Sequence, residues 1–135
     1  MKRLLTLSIV CILLFTMVCP VLAVTPRYNY THSIYANIDI NTTWGLATCT
    51  GEVIADDNYP VELVLYLQVY KNGTWQTVKS WSTTDIFTAY ISKPYAIYKG
   101  YEYRAYAVAY IYNDNNAVIE IVDVYDTQWY GDYIN

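Results

Sequence analysis

The chain is short and acidic. It has 135 residues, with 8 Lys or Arg against 12 Asp or Glu, and its formal net charge is −4. This length suits one domain of ordinary size. The acidic balance argues against nucleic acid or an anionic membrane as a partner, because both are bound chiefly through clustered Lys and Arg.

The first 23 residues have the order of a secretory signal peptide. Lys2 and Arg3 are followed by an apolar run over residues 4–18 and by Val21-Leu22-Ala23, which places a small residue before the cut. The pattern predicts cleavage after this segment and a secreted, extracellular protein with no membrane attachment. An uncleaved membrane anchor is the alternative, since the apolar segment approaches the roughly 20 residues that span a bilayer.

Residues 24–135 are the predicted mature part, a single domain. Removing 23 of the 135 residues leaves 112, and the loss of Lys2 and Arg3 changes the formal net charge from −4 to −6. Of the three cysteines only Cys49 remains, so an internal disulfide cannot form. The core must therefore hold by packing alone.

Period-two alternation of apolar and polar residues predicts seven strands, A to G, and no helix. The predicted strands are 34–40, 47–53, 61–71, 74–82, 85–91, 101–112 and 117–125. Asn72-Gly73 predicts a type I′ hairpin turn between strands C and D. We expect Ser92-Lys93-Pro94 to end strand E, and residues 126–135 to form a short tail without strand alternation. Seven short strands with tight loops predict an all-β, antiparallel two-sheet sandwich of immunoglobulin-like type.

Two resemblances accompany this pattern. Tyr101-x-Tyr103-Arg104-Ala105-x-Ala107-Val108 resembles the sixth strand of fibronectin type III and related immunoglobulin-like domains, where an aromatic pair and small residues pack between the sheets. Gly45-Leu46-Ala47-Thr48-Cys49-x-Gly51 and the segment 72–81 resemble short secreted proteins of Gram-positive bacteria that are known only as a domain of unknown function. This second resemblance implies export and fold and assigns no catalytic or binding residue.

Cys49 occupies the position at which antibody-type domains place the strand B half of their inter-sheet disulfide. The expected partner position in strand F holds Ala105 or Ala107, and the inward positions of strand C are leucines where that family has tryptophan. We therefore predict that Cys49 is a buried small apolar side chain. An intermolecular disulfide is the alternative, and it would require an exposed thiol.

Tyrosine is the main anomaly of the composition, and all 17 tyrosines lie within residues 24–135. A sandwich core cannot bury so many rings and satisfy every hydroxyl, so many of them must reach the surface. Strands C and F are neighbours in this fold, and alternation turns five of their tyrosines outward. These predicted ligand-binding residues are Tyr66, Tyr70, Tyr106, Tyr110 and Tyr112. A cross-strand aromatic ladder that only stabilises the sheet is the alternative.

Acidic residues are expected to meet at one end of the sandwich. Asp56 and Asp57 lie in the predicted B–C loop, Asp85 begins strand E, and Asp114 lies in the F–G loop. Converging carboxylates would suit calcium, which takes six to eight oxygen ligands. The alternative is that Asp and Asn are simply the preferred turn residues, and no spacing here matches an established calcium loop. We expect no cofactor.

The sequence contains one histidine, His32, and no acid–base pair or activated nucleophile stands out around it. We therefore expect a protein that is not an enzyme. The function that the pattern favours is a secreted binding module that presents its tyrosines to a glycan or an extracellular protein. The alternative is a structural or cell-surface protein that self-associates and takes no small ligand.

Overall fold

The computed structural model of the protein describes residues 28–131. The predicted signal peptide and its cleavage site lie outside these residues. The described part contains seven strands and no helix, so no helix within it could cross a bilayer. The strands are β1 (Thr31–Asn41), β2 (Leu46–Ala55), β3 (Pro60–Lys71), β4 (Thr74–Ile86), β5 (Thr88–Ala96), β6 (Tyr101–Tyr112) and β7 (Val118–Tyr130).

The strands form two antiparallel sheets, one of order β1-β2-β5 and one of order β4-β3-β6-β7. This confirms the predicted sandwich. The fourth strand joins the sheet of β3, whereas constant-type immunoglobulin domains place it in the first sheet. The reason is local, because Asn72 (φ 53°) and Gly73 (φ 77°) both adopt the positive φ that a type I′ turn requires. The hairpin predicted from these two residues therefore forms.

The chain passes from one sheet to the other at Phe87. This shifts the predicted end of the fourth strand and the predicted start of the fifth. Phe87 has a φ of 73°, which is rare for a bulky residue. Its backbone N–H donates to the carbonyl of Tyr59, and its own carbonyl accepts from the N–H of Ala55. Asp85 consequently belongs to the end of β4 and does not begin the next strand.

Strand β5 continues through Ser92-Lys93-Pro94 to Ala96, so the prediction that this segment ends the strand was wrong. The strand pairs with β2 alone. Proline lacks an N–H and is tolerated on an edge strand, where that position can point away from the partner strand. The proline is thus compatible with the strand because the strand lies at an edge.

The expected tail also needs correction, because β7 runs to Tyr130 and pairs Trp129 with Glu102 of β6. The alternation was hidden in the sequence because polar side chains occupy inward positions. The carboxylate of Asp126 accepts a hydrogen bond from the N–H of Ile38 at 3.0 Å, and Gln128 Oε1 accepts one from Ile40 at 3.1 Å. These side chains satisfy backbone donors at the edge of β1.

Glu120 extends this seam between β1 and β7 towards the start of β1. Its carboxylate accepts hydrogen bonds from the N–H groups of Asn29 and Tyr30, at 2.7 and 3.1 Å, and from Thr31 Oγ1 at 2.7 Å. Burial alone would raise the pKa of Glu120, but these donated hydrogen bonds hold the pKa below its ordinary value. One long edge of the three-stranded sheet is therefore covered by side chains of the other sheet.

The core lies between β2, β3 and β6. Leu63, Leu65 and Leu67 are fully buried and pair across the ladder with three alanines of β6. The facing sheet approaches this leucine row at Gly51, where an added Cβ would lie 3.1 Å from Leu65 Cδ1. Large side chains on one strand and small ones on its neighbours thus allow the sheets to pack closely.

We predict that Gly51→Val destabilises the protein by about 1–3 kcal/mol, because the Cβ and the two methyl groups of valine would enter a filled space between the sheets. Thr48→Val is the matched control on the outward face of the same strand, and it should change the free energy of unfolding by less than about 0.5 kcal/mol. Urea denaturation of both variants measures the difference. Equal unfolding midpoints would contradict the close approach at Gly51.

We predict that Glu120→Gln lowers the free energy of unfolding at neutral pH by about 1 kcal/mol. A carboxyl group whose pKa is lowered on folding stabilises the protein above its ordinary pKa of 4.5, and this stabilisation is lost as the pH falls through the lowered folded value. The difference between wild type and variant should therefore shrink as the solution is acidified. Glu52→Gln, on the opposite surface, is the control. A difference that stays constant with pH would contradict the role of the charge.

Candidate functional site

The outward surface of the four-stranded sheet carries most of the predicted site residues. We call this surface the tyrosine face. Its side chains come from positions that alternate with the buried core positions of β3 and β6. It consists of Trp75, Thr77, Ser80, Ser82 and Thr84 on β4, Glu62, Val64, Tyr66, Gln68 and Tyr70 on β3, Glu102, Arg104, Tyr106, Val108 and Tyr110 on β6, and Ile121, Asp123, Tyr125, Thr127 and Trp129 on β7.

A row of three tyrosines crosses the middle of the tyrosine face. Tyr66 pairs directly with Tyr106, which pairs with Tyr125, and Ser80 completes the row on β4. The ring centroids of Tyr66 and Tyr106 are 6.0 Å apart and the rings are inclined by 30°. Tyr125 is 58% exposed, whereas the other two rings are half-buried. The register of the sheet thus places three rings side by side across adjacent strands.

Arg104 lies beside this row and is surrounded by aromatic rings. Its Cζ is 4.5 Å from the ring centroid of Trp75, 4.9 Å from that of Tyr106 and 5.1 Å from that of Tyr125. Its Nε donates a hydrogen bond of 2.7 Å to Gln68 Oε1. The guanidinium therefore covers part of the aromatic surface and fixes the rings through cation–π contacts.

The remaining predicted tyrosines lie at the two ends of the tyrosine face. Tyr70 is 43% exposed, and its ring centroid is 5.2 Å from that of Trp75 across the hairpin. Tyr110 pairs with Glu62 in the ladder. Tyr112 lies beyond a register shift, and its hydroxyl donates a 2.7 Å hydrogen bond to Glu62 Oε2. The structure thus places all five predicted tyrosines along one sheet surface.

Nearby carboxylates contribute to raised pKa values of two of these tyrosines. The hydrogen bond to Glu62, followed by burial, raises the pKa of Tyr112. Burial, together with the charge and hydrogen bond of Asp123, raises the pKa of Tyr106. The raised pKa values favour the neutral form of both phenols, which can donate a hydrogen bond, as Tyr112 does to Glu62.

Sequence reasoning missed several members of this surface. Arg104 and Tyr125 lie near its centre, Trp75 lies at its hairpin end, and Ile121 (60% exposed) and Trp129 (43% exposed) form its β7 margin. Extending the Asn72-Gly73 hairpin register by two residues on each side would have placed Trp75 opposite Tyr70. No sequence signal gave the register of β7, because its polar inward residues disguise the alternation.

The acidic residues do lie at one end of the sandwich, but they do not form a cluster. Asp56 faces His32, with 3.6 Å between Oδ1 and Nδ1. Asp85 Oδ1 accepts a hydrogen bond from the N–H of the next residue, and Asp57 and Asp114 lie in the loops after β2 and β6. Among residues 28–131 no three His, Cys, Asp or Glu side chains are grouped so that they could hold a metal ion.

Cys49 is fully buried, as predicted, and burial raises the pKa of its thiol to about 12. Thiolate is the reactive form of cysteine. The raised pKa and the lack of solvent access therefore make this thiol unreactive in the folded protein.

We predict that a thiol reagent at a pH of about 8 labels the Cys49 peptide more than about 100-fold more slowly in the folded protein than after unfolding in urea. Mass spectrometry of the digested protein resolves this peptide from those of Cys11 and Cys19. Comparable labelling rates in the two states would contradict the burial of this thiol.

Comparisons with known proteins add little to this geometry. No protein-family model matches the chain, and no curated protein is significantly similar to it. Among solved structures, the chain is similar to the crystal structure of Spo0M, a sporulation control protein from Bacillus subtilis. The similarity has a TM-score of 0.38 at 11% sequence identity, and it covers 77% of this chain and 50% of the other. The chain thus spans half the length of that structure, and the similarity carries no functional argument.

Proposed function

We propose that the protein is a secreted, non-catalytic binding module that holds a glycan on the tyrosine face. The observation that carries this proposal is the row of Tyr66, Tyr106 and Tyr125 on three adjacent strands, flanked by Arg104 with its Trp75 and Gln68 partners. An aromatic surface of this size is uncommon on a protein surface that has no partner. Ring planes supply apolar area at low entropic cost, and the neighbouring polar groups supply hydrogen bonds.

The polar groups of the tyrosine face favour an uncharged ligand. Glu62, Glu102 and Asp123 lie among the aromatic residues, and Arg104 is the only cation on this surface among the described residues. Their combined charge would repel an acidic ligand at close range. Hydroxyl groups of Ser80 and Ser82 on β4 line one side of the rings. A neutral glycan offers both apolar faces for the rings and hydroxyls for these groups.

Self-association through the same surface is the second candidate. It is favoured by the exposed Ile121, Tyr125 and Trp129, which lie along the edge strand β7. Aromatic residues of this kind are enriched at protein interfaces. Sedimentation of the protein at two concentrations separates the candidates, because a self-associating protein shifts towards a larger species as concentration rises.

We predict that Tyr66→Ser combined with Tyr125→Ser weakens binding to soluble neutral glycans by at least about tenfold, since truncating an anchoring residue at a binding surface costs about 1 kcal/mol or more. A panel of chitin oligosaccharides and β-glucans, measured by calorimetry, provides the probes. Tyr35→Ser combined with Trp44→Ser is the matched control, because both rings are exposed and lie outside the tyrosine face.

The single variant Tyr125→Ser keeps this test interpretable if the loss of the half-buried Tyr66 lowers stability. Its ring is 58% exposed, so the fold should not depend on it. If the wild-type protein binds none of these glycans, or if the tyrosine variants bind as tightly as the control, the proposed function is wrong.

A further inference from the structure

The two sides of the sandwich are closed differently. On one side Glu120, Asp126 and Gln128 of β7 bind the edge of β1. On the other side, which we call the open side, the edge strands β4 and β5 leave two clefts of about 470 and 480 Å³. Trp81 of β4 lines one cleft and Tyr95 of β5 lines the other, and their ring centroids are 6.3 Å apart. Four residues of β4 line the clefts, with Val78 in the lower cleft beside Tyr95, and Trp81, Ser82 and Thr83 in the upper cleft.

Lysines occupy inward-facing positions on both walls of the open side. Lys79 pairs with buried Leu67, and Lys93 pairs with buried Cys49. Across the core, Gly51 approaches Leu65. Gly51 pairs with Ile91 in its ladder, and Leu65 pairs with Trp81. Lys93 lies two residues from Ile91 and Lys79 two residues from Trp81, in the same direction along the sandwich. The register therefore places the two lysines at one level, Lys93 in the upper cleft and Lys79 on β4 between the residues that line the two clefts. A third lysine, Lys71, lines the lower cleft.

These lysines lack described anionic partners. Neither cleft is lined by an Asp or Glu, and within residues 28–131 no carboxylate lies within ion-pairing distance of a lysine. Lys71 contacts the ring of Tyr101, with its Nζ 4.2 Å from the centroid. In a chain of net charge −4, the open side is thus a local concentration of positive charge, which complements an anionic ligand.

The edges of the open side are unsuited to pairing with another strand. Pro94 lacks an N–H, and the β3–β4 register shifts after Leu67, which leaves Val78 without a partner in the ladder. Inward-facing lysines on edge strands also oppose strand addition. A peptide that docks by backbone hydrogen bonding is therefore disfavoured. Recognition must come from the side chains, which are lysines, aromatic rings and the hydroxyl of Thr83.

We infer that the open side is a second binding site, and that its ligand is an acidic glycan whose carboxylates meet Lys79 and Lys93. Trp81 provides ring surface for the sugars, and the hydroxyl of Thr83 provides a hydrogen bond. This site is separate from the tyrosine face and has the opposite charge preference. It does not depend on the function proposed for that face.

Polygalacturonate and its fully methyl-esterified form test this inference, because they share a backbone and differ in charge. The protein should bind the acid form at low salt, bind it less as salt is added, and not bind the ester. Lys79→Gln combined with Lys93→Gln should weaken binding by about tenfold, the sum expected from two exposed ion pairs. Lys99→Gln, in the β5–β6 loop outside both clefts, is the control and should have little effect.

Other outcomes would overturn the inference. If the double lysine variant binds polygalacturonate as tightly as the wild type, or forms oligomers while binding is unchanged, the lysines only protect the sheet edges. Equal binding of the ester would exclude recognition of charge, and equally tight lysine-dependent binding of polyglutamate would exclude a glycan-specific site. The Tyr66→Ser and Tyr125→Ser variant should bind polygalacturonate normally, so failure of one proposal leaves the other testable.

Discussion

The pairing register of β3 against β6 is the constraint on which the rest of the structure depends. Leu65 lies opposite Ala107 on the core side, and one residue further along Tyr66 lies opposite Tyr106 on the surface. A slip of one residue would exchange the two faces, burying phenol hydroxyls and exposing leucines. The burial of the leucine row against Gly51 and the β6 alanines fixes the register. The same packing therefore specifies both the core and the tyrosine face.

The two sheets meet along sides of contrasting chemistry. At the β1–β7 side, carboxylate and amide oxygens of β7 accept hydrogen bonds from the edge of β1, so polar side chains replace a backbone ladder. At the open side, the edge-to-face contact of Trp81 with Tyr95 joins β4 to β5, and the inward positions beside these rings hold lysines. Edge strands need protection from pairing with other chains. This protein protects the β1 edge by covering it, and the β4 and β5 edges by charge, proline and a bulge.

Arg104 places a cation among the aromatic rings of the tyrosine face. A row of bare rings would offer only stacking surfaces, but the guanidinium lies within 5.1 Å of three ring centroids and is oriented by Gln68. Trp, Tyr and Arg are the residue types enriched at binding hot spots. The hydroxyl of Tyr112 donates to Glu62, and burial together with Asp123 raises the pKa of Tyr106. The surface thus combines apolar planes with oriented polar groups.

The sequence by itself determined the sandwich, the β3–β4 hairpin, the burial of Cys49 and the outward direction of the predicted tyrosines. These features follow from period-two alternation and from the positive φ of Asn72 and Gly73, which are local properties. Only the tertiary structure decided that β5 continues past Pro94, that β7 includes Asp126 and Gln128, and that the acidic loop residues stay apart. Each of these depends on which strand lies at an edge and on what faces it across the sheets. Such contacts join residues up to 91 positions apart in the chain, and no local pattern encodes them.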